Sequence, residues 1–126
     1  MEFPSLGFIQ ALQAALNKNA TFAEASQWSD VKVLLCFGDD HYWLKLYGGK
    51  VIDWMTYVPL ANPLGWDYMI AGPMDAWNEL RASGDGHKAG AALMNCGRIS
   101  VDGNMLQANR MFASTHVIVD AIRDLK

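Results

Sequence analysis

Three alternating runs follow one another between Val31 and Tyr57, and they constrain the fold more than any other part of the chain. Val31, Val33, Leu35 and Phe37 interleave with Lys32, Leu34, Cys36 and Gly38, the period of two that a strand requires. After Gly38-Asp39-Asp40, whose residues favour a turn, Tyr42, Leu44 and Leu46 interleave with His41, Trp43, Lys45 and Tyr47. Gly48-Gly49 is a hairpin signal, and Lys50 to Tyr57 forms a third run carrying Trp54 and Met55. Runs this close together pair antiparallel, because a parallel crossover needs a dozen or more residues. The middle of the chain is therefore expected to be a β-meander.

Helical periods flank it. Residues 4–18 place Phe8, Ile9, Leu12, Ala15 and Leu16 on one stripe, with Pro4 or Ser5 to start the helix. Thr21 to Ser29 predicts a short second helix, because Thr21 and Glu24 have capping-box spacing. Pro59 to Gly65 is a loop with two prolines, and Trp66 to Ala71 is a fourth strand with Trp66, Tyr68 and Ile70 on one face. Met74 to Ala82 is a helix whose apolar face carries Met74, Trp77 and Leu80. Beyond a break at Ser83 to Gly86, His87 to Asn95 predicts a helix weakened by Gly90. Gly97 to Val101 is a fifth strand, and Asn104 to Leu125 a long closing helix. With two helices between strands four and five, strand five is expected to cross back and lie parallel to a neighbour. The fold class is α+β: a mostly antiparallel five-stranded sheet covered on one face by helices, with a long C-terminal helix.

A chain of 126 residues fits one domain, 1–126, with room for a core. Apolar residues at 52% argue against disorder. A net charge of −3 and no basic cluster give no footprint for nucleic acid. The apolar runs are too short to span a membrane and no cationic leader precedes them, so membrane insertion is not expected and a cytoplasmic location is. Cys36 and Cys96 sit in apolar contexts, which suggests two buried thiols in a reducing compartment. His41, His87 and His116 share no metal-ligand spacing, and no phosphate loop or dinucleotide fingerprint is present. No metal or cofactor is expected.

Four stretches together carry a likeness to a known family. They are the Gly48-Gly49-Lys50-Val51 hairpin, the strand opening Asp67-Tyr68-Met69-Ile70, the helix Pro73 to Ser83 directly after it, and Gly97-Arg98-Ile99-Ser100-Val101-Asp102-Gly103-Asn104. In these the chain resembles the sterol carrier protein type 2 (sterol-binding domain) family, with the last motif the most specific. The resemblance implies a sheet covered by helices and an apolar tunnel between the layers for a lipid, sterol-like, isoprenoid or fatty acyl ligand.

Candidate residues for such a site are those with large or adaptable apolar side chains. Met74, Met94, Met105 and Met111 suit variable apolar shapes, and Phe112 lies beside Met111 on the last helix. Trp54, Trp66, Tyr68 and Trp77 would stack a flat or isoprenoid skeleton and offer one polar handle each. Ordinary core packing accounts for the same residues equally well. Trp43 and Tyr47 face away from Leu44 and Leu46, where exposed aromatics would suit a homodimer contact. Asp53, between Ile52 and Trp54, and His116 are the candidates should the chain be a cofactor-free isomerase, dehydratase or cyclase acting on a hydrophobic substrate. A hydrophobic-ligand carrier is the leading expectation, with that enzyme and an accessory dimerisation subunit as alternatives.

Overall fold

A computed structural model describes residues 2–58, 65–83 and 92–125. The chain opens with helices α1 (Leu6–Asn17) and α2 (Ala20–Ala25), followed by strands β1 (Asp30–Phe37), β2 (Asp40–Tyr47), β3 (Lys50–Thr56) and β4 (Tyr68–Gly72). Helix α3 (Met74–Ala82) comes next, then a helical turn at 92–95, strand β5 (Ser100–Gly103) and helices α4 (Met105–Arg110) and α5 (Phe112–Asp124). Ser5 starts α1 as expected, its hydroxyl accepting from the Phe8 N–H at 3.0 Å. Helix α2 is capped by Asn19 rather than Thr21, because the Asn19 carboxamide reaches the Phe22 N–H at 3.0 Å, and it ends before Trp28. The expected helix at His87 to Asn95 and the Pro59 to Gly65 loop lie largely outside the described residues.

The five strands form one sheet in the order β3-β2-β1-β4-β5. The meander holds: β1 with β2 and β2 with β3 are antiparallel, and both turn residues Gly48 (φ 58°) and Gly49 (φ 86°) adopt the left-handed conformation of a tight hairpin. The fourth strand starts at Tyr68 rather than Trp66 and lies parallel to β1, so the sheet is mixed. Strand β5 corrects the expectation of a parallel return. The chain leaves the sheet after Gly72 and re-enters at Ser100, which pairs with Ala71, so the excursion closes antiparallel at the same end of the sheet. Two intervening helices do not force a crossover when the outer edge of the previous strand is open.

Asp67 joins the parallel pair at its start. Its carboxylate accepts the Lys32 N–H (2.8 Å), its own N–H donates to the Lys32 carbonyl (2.8 Å), and its carbonyl accepts the Asn104 N–H (2.8 Å). Gly103 completes this corner with φ 110°, and a Cβ there would lie 2.7 Å from the Trp66 ring and 3.0 Å from the Asp67 carbonyl oxygen. The last expected strand motif is therefore built around a position that only glycine fits.

The inner face of the sheet carries Val31, Val33, Leu35, Phe37, Leu44, Leu46, Val51, Tyr68 and Ile70 against the helices. A bulge lets Val51 share this face with Trp54: Leu46 opposes Val51 and Lys45 opposes Asp53, leaving Ile52 as the extra residue. The outer face holds a second cluster of Leu34, Cys36 and Trp43, with Met55, Tyr57, Trp66 and Met69 packed on it. Trp43 is thus buried, not exposed, and its indole N–H donates to the Gly65 carbonyl at 2.8 Å; of the expected pair only Tyr47 is at the surface. Trp66 belongs to this outer cluster, so it does not share a face with Tyr68 and Ile70.

The closing helix is two helices. Met111, at φ −94° and ψ 14°, departs from helical geometry and separates α4 from α5. At the break Met111 is fully buried and Ala108 lies in the same core, while Phe112 is largely exposed.

Candidate functional site: a cavity beneath the last strand

The aromatic side chains at the layer interface are built into the protein. Trp77 is wholly buried, and its indole N–H is shared between the Cys36 and Gly72 carbonyls at 3.0 and 3.1 Å. Tyr68 is wholly buried with its hydroxyl 3.0 Å from that of Thr115. Burial pushes the Tyr68 hydroxyl up to about 12, against the opposing effect of the Thr115 hydrogen bond. The Trp54 indole N–H donates to the Gln13 side chain at 2.5 Å. Their polar handles are engaged within the fold, and Met111 is fully buried among core residues. Trp54, Trp66, Tyr68, Met74, Trp77 and Met111 do not gather around one opening: Trp66 is on the outer face, and Met74 packs at Gly38.

The opening lies instead at the β5 end of the sheet. There a cavity of about 1000 Å³ is walled by Met94, Ile99, Val101, Phe112, Ala113 and Val117, with Thr21, Asn95, Ser100, His116 and Asp120 at its margins. A smaller cavity of about 130 Å³ adjoins it, sharing Met94, Val101 and Phe112 and adding Met105 and Ala108. Of the residues singled out from sequence, Met94, Met105, Phe112 and His116 therefore come together here.

Local chemistry explains why this edge is open. Helix α5 turns Thr115, Ile118, Val119 and Ile122 into the core, and Ser114 meets Ser26 of α2 at 2.7 Å. That leaves Phe112, Ala113, His116, Val117 and Asp120 as an adjoining stripe, one helical step round, facing the cavity. The opposite wall is the segment 94–101. Gly97 (φ 81°) reverses the chain, and the Arg98 guanidinium binds Asp75 at 3.1 Å and also Glu79, both on α3, tying the wall to the rest of the fold.

His116 packs edge-on against Phe112, ring centroids 4.6 Å apart. Asp53 is elsewhere: it is exposed on β3, its carboxylate accepting the Trp54 N–H at 2.9 Å. Strands β3 and β5 are the two ends of the sheet, about 19 Å apart at the usual strand spacing. The two candidate catalytic residues do not share a site. Lys45, opposite Asp53 in the ladder, pairs with Asp30.

Sequence reasoning missed Val101, Ala113, Val117 and Asp120 as lining residues. The signal was present as a second helical stripe at 112, 113, 116, 117 and 120, masked by the more apolar stripe beside it. Among the described residues no helix is long and apolar enough to cross a membrane.

No protein-family model matches the sequence, and no curated protein matches it. Solved structures do match in fold. Sterol carrier protein 2 superposes with a TM-score of 0.76 at 14% identity, over 99% of this chain and 100% of that one. A conserved hypothetical protein from Thermus thermophilus, described as a possible sterol carrier protein, gives 0.70 at 18% identity, over 99% and 90%. The ubiquinone synthesis protein UbiJ-SCP2 gives 0.55 at 14% identity, over 90% and 93%. The chain has a sterol carrier protein 2-like fold, the one its motifs resemble.

Proposed function

We propose that this protein is a carrier that holds a hydrophobic or amphipathic small molecule, of the lipid, sterol-like, isoprenoid or fatty acyl class, in the cavity between α5 and the segment 94–101. The observation that carries this reading is the cavity itself: about 1000 Å³ with mainly apolar walls, at the upper end of the range typical of small-molecule sites. Its fold likeness to sterol carrier protein 2 supports a lipid-like occupant. Burial is the mechanism. Burying roughly 150 Å² of apolar ligand surface at ~25 cal/mol per Å² contributes about 4 kcal/mol before association costs. Phe112, 64% exposed, is the large apolar side chain that the cavity presents to solvent.

The test is binding of a fluorescent long-chain probe to the wild type and to Phe112→Asp. Because Phe112 is exposed, the variant keeps its fold, and its affinity is expected to fall at least tenfold. A folded Phe112→Asp protein that binds like the wild type would remove the cavity from the account. Substitutions at Trp77 or Met111 do not serve this purpose, since both side chains are core.

A further inference from the structure

We infer that the paired hydroxyls of Tyr68 and Thr115 anchor the ligand by an oxygen acceptor on its terminal group, a carbonyl or hydroxyl oxygen; this rests on the binding reading above. The site is the smaller space of about 130 Å³ that adjoins the main cavity, walled by Met94, Val101, Met105 and Phe112. None of its described lining residues is charged, and the hydroxyl and amide groups among them belong to Thr115 and Asn109. Asn109 is exposed on α4, whereas Thr115 is 2% exposed. Thr115 is thus the buried polar residue on this border.

Counting protons shows what Thr115 has to offer. Its hydroxyl oxygen lies 3.0 Å from that of Tyr68, and either group can donate. Two hydroxyls carry two protons, and one hydrogen bond uses one of them. Neither hydroxyl has a second partner among the described residues. Tyr68 is wholly buried and does not line the space. When Thr115 donates, the Tyr68 proton is left in the core without an acceptor. When Tyr68 donates, the remaining proton is that of Thr115, beside a space that a ligand can enter. An unbonded buried donor is costly, so an entering oxygen favours the second arrangement. The Tyr68 O–H then donates to Thr115, and the Thr115 O–H donates to the ligand, a chain in which each bond strengthens the next. Burial pushes the Tyr68 hydroxyl up to about 12, so it keeps its proton through the neutral range. Tyr68 is a positioning residue, and Thr115 makes the contact.

The rest of the ligand lies in the main cavity, which shares Met94, Val101 and Phe112 with the smaller space. A ligand ending in a plain hydrocarbon leaves the Thr115 proton unbonded.

The test compares 2-undecanone with 2-methylundec-1-ene, in which a methylene group replaces the carbonyl oxygen. Each displaces a fluorescent long-chain probe from the wild type and from the Thr115 variants, and the infrared carbonyl band of the bound ketone is recorded. Thr115→Val keeps the side-chain shape and removes the hydroxyl. It is expected to lower the ratio of ketone to alkene affinity about fivefold, the scale of one net hydrogen bond. Thr115→Ser keeps the hydroxyl and is expected to hold that ratio within about twofold of wild type. The carbonyl band in the wild type is expected at lower wavenumber than in hexane, and at the hexane position in Thr115→Val. Tyr68→Phe, which retains the Thr115 hydroxyl, is expected to reduce that displacement without abolishing it; an unchanged band would remove Tyr68 from the anchor. An unchanged ratio in folded Thr115→Val overturns the inference. A wild-type band at the hexane position overturns it as well, whether or not the variants fold, and leaves a binding cavity. Displacement by neither compound overturns the inference and the binding reading together.

Discussion

Burial separates the two cysteines, which look alike in the sequence. Cys36 is 6% exposed in the outer-face cluster, and burial pushes its thiol from 9.0 up to about 11. Cys96 is exposed, which corrects the expectation of two buried thiols. The thiolate is the reactive form, so iodoacetamide near neutral pH is expected to alkylate Cys96 and spare Cys36 until the protein unfolds; mass mapping of the labelled peptides checks this. The sign of the pH effect follows from the same shift. Below about pH 9 both folded and unfolded chains hold the Cys36 proton. Between 9 and 11 the unfolded chain releases it first, so stability declines across that window. The same logic of burial explains the aromatic residues. In sequence, Trp77 and Tyr68 are equally good as core or as ligand cage. What distinguishes the two is whether their polar atoms are engaged, and both side chains reach partners far along the chain: Trp77 bonds Cys36 as well as nearby Gly72, and Tyr68 bonds Thr115. No local pattern encodes such partners.

At the scale of elements, pairing within the meander was legible because short connections leave one choice. The placement of β4 was not, because the connection through residues 57–67 is long enough for either direction. Asp67 ties the start of the parallel pair, accepting the Lys32 N–H across it. Asp67→Ala removes a charged acceptor from a half-buried backbone donor and is expected to cost about 1.5–3 kcal/mol, read as a lower midpoint in denaturant with unchanged slope. Wild-type stability in that variant would mean the β1–β4 pairing is held without it. The break between α4 and α5 was invisible for a different reason. Apolar residues recur through Met111 with no glycine or proline to mark an end, and the residue at the break, Met111, is itself fully buried.

For the whole molecule, the two-layer α+β architecture was readable from periodicity, and the family likeness from four short motifs. The position of the proposed cavity was only partly readable. Met94, Met105, Phe112 and His116 were singled out for their side-chain types and do meet at the cavity; Trp54, Trp66, Tyr68, Met74, Trp77 and Met111 were chosen on the same grounds and do not. Where a two-layer fold leaves space is decided by how far each element extends. Here β5 is a four-residue strand at the edge of the sheet. Among the described residues the centre of the interface is filled by core side chains, and the cavity described above lies at the last strand. Methyl-resolved NMR during titration with dodecan-1-ol tests that placement most directly. The account expects shifts confined to Met94, Ile99, Val101, Met105 and Val117, with Val33, Leu35 and Ile70 of the central core unmoved. Shifts concentrated in the central core, or on Leu34 and Met69 of the outer face, would contradict it.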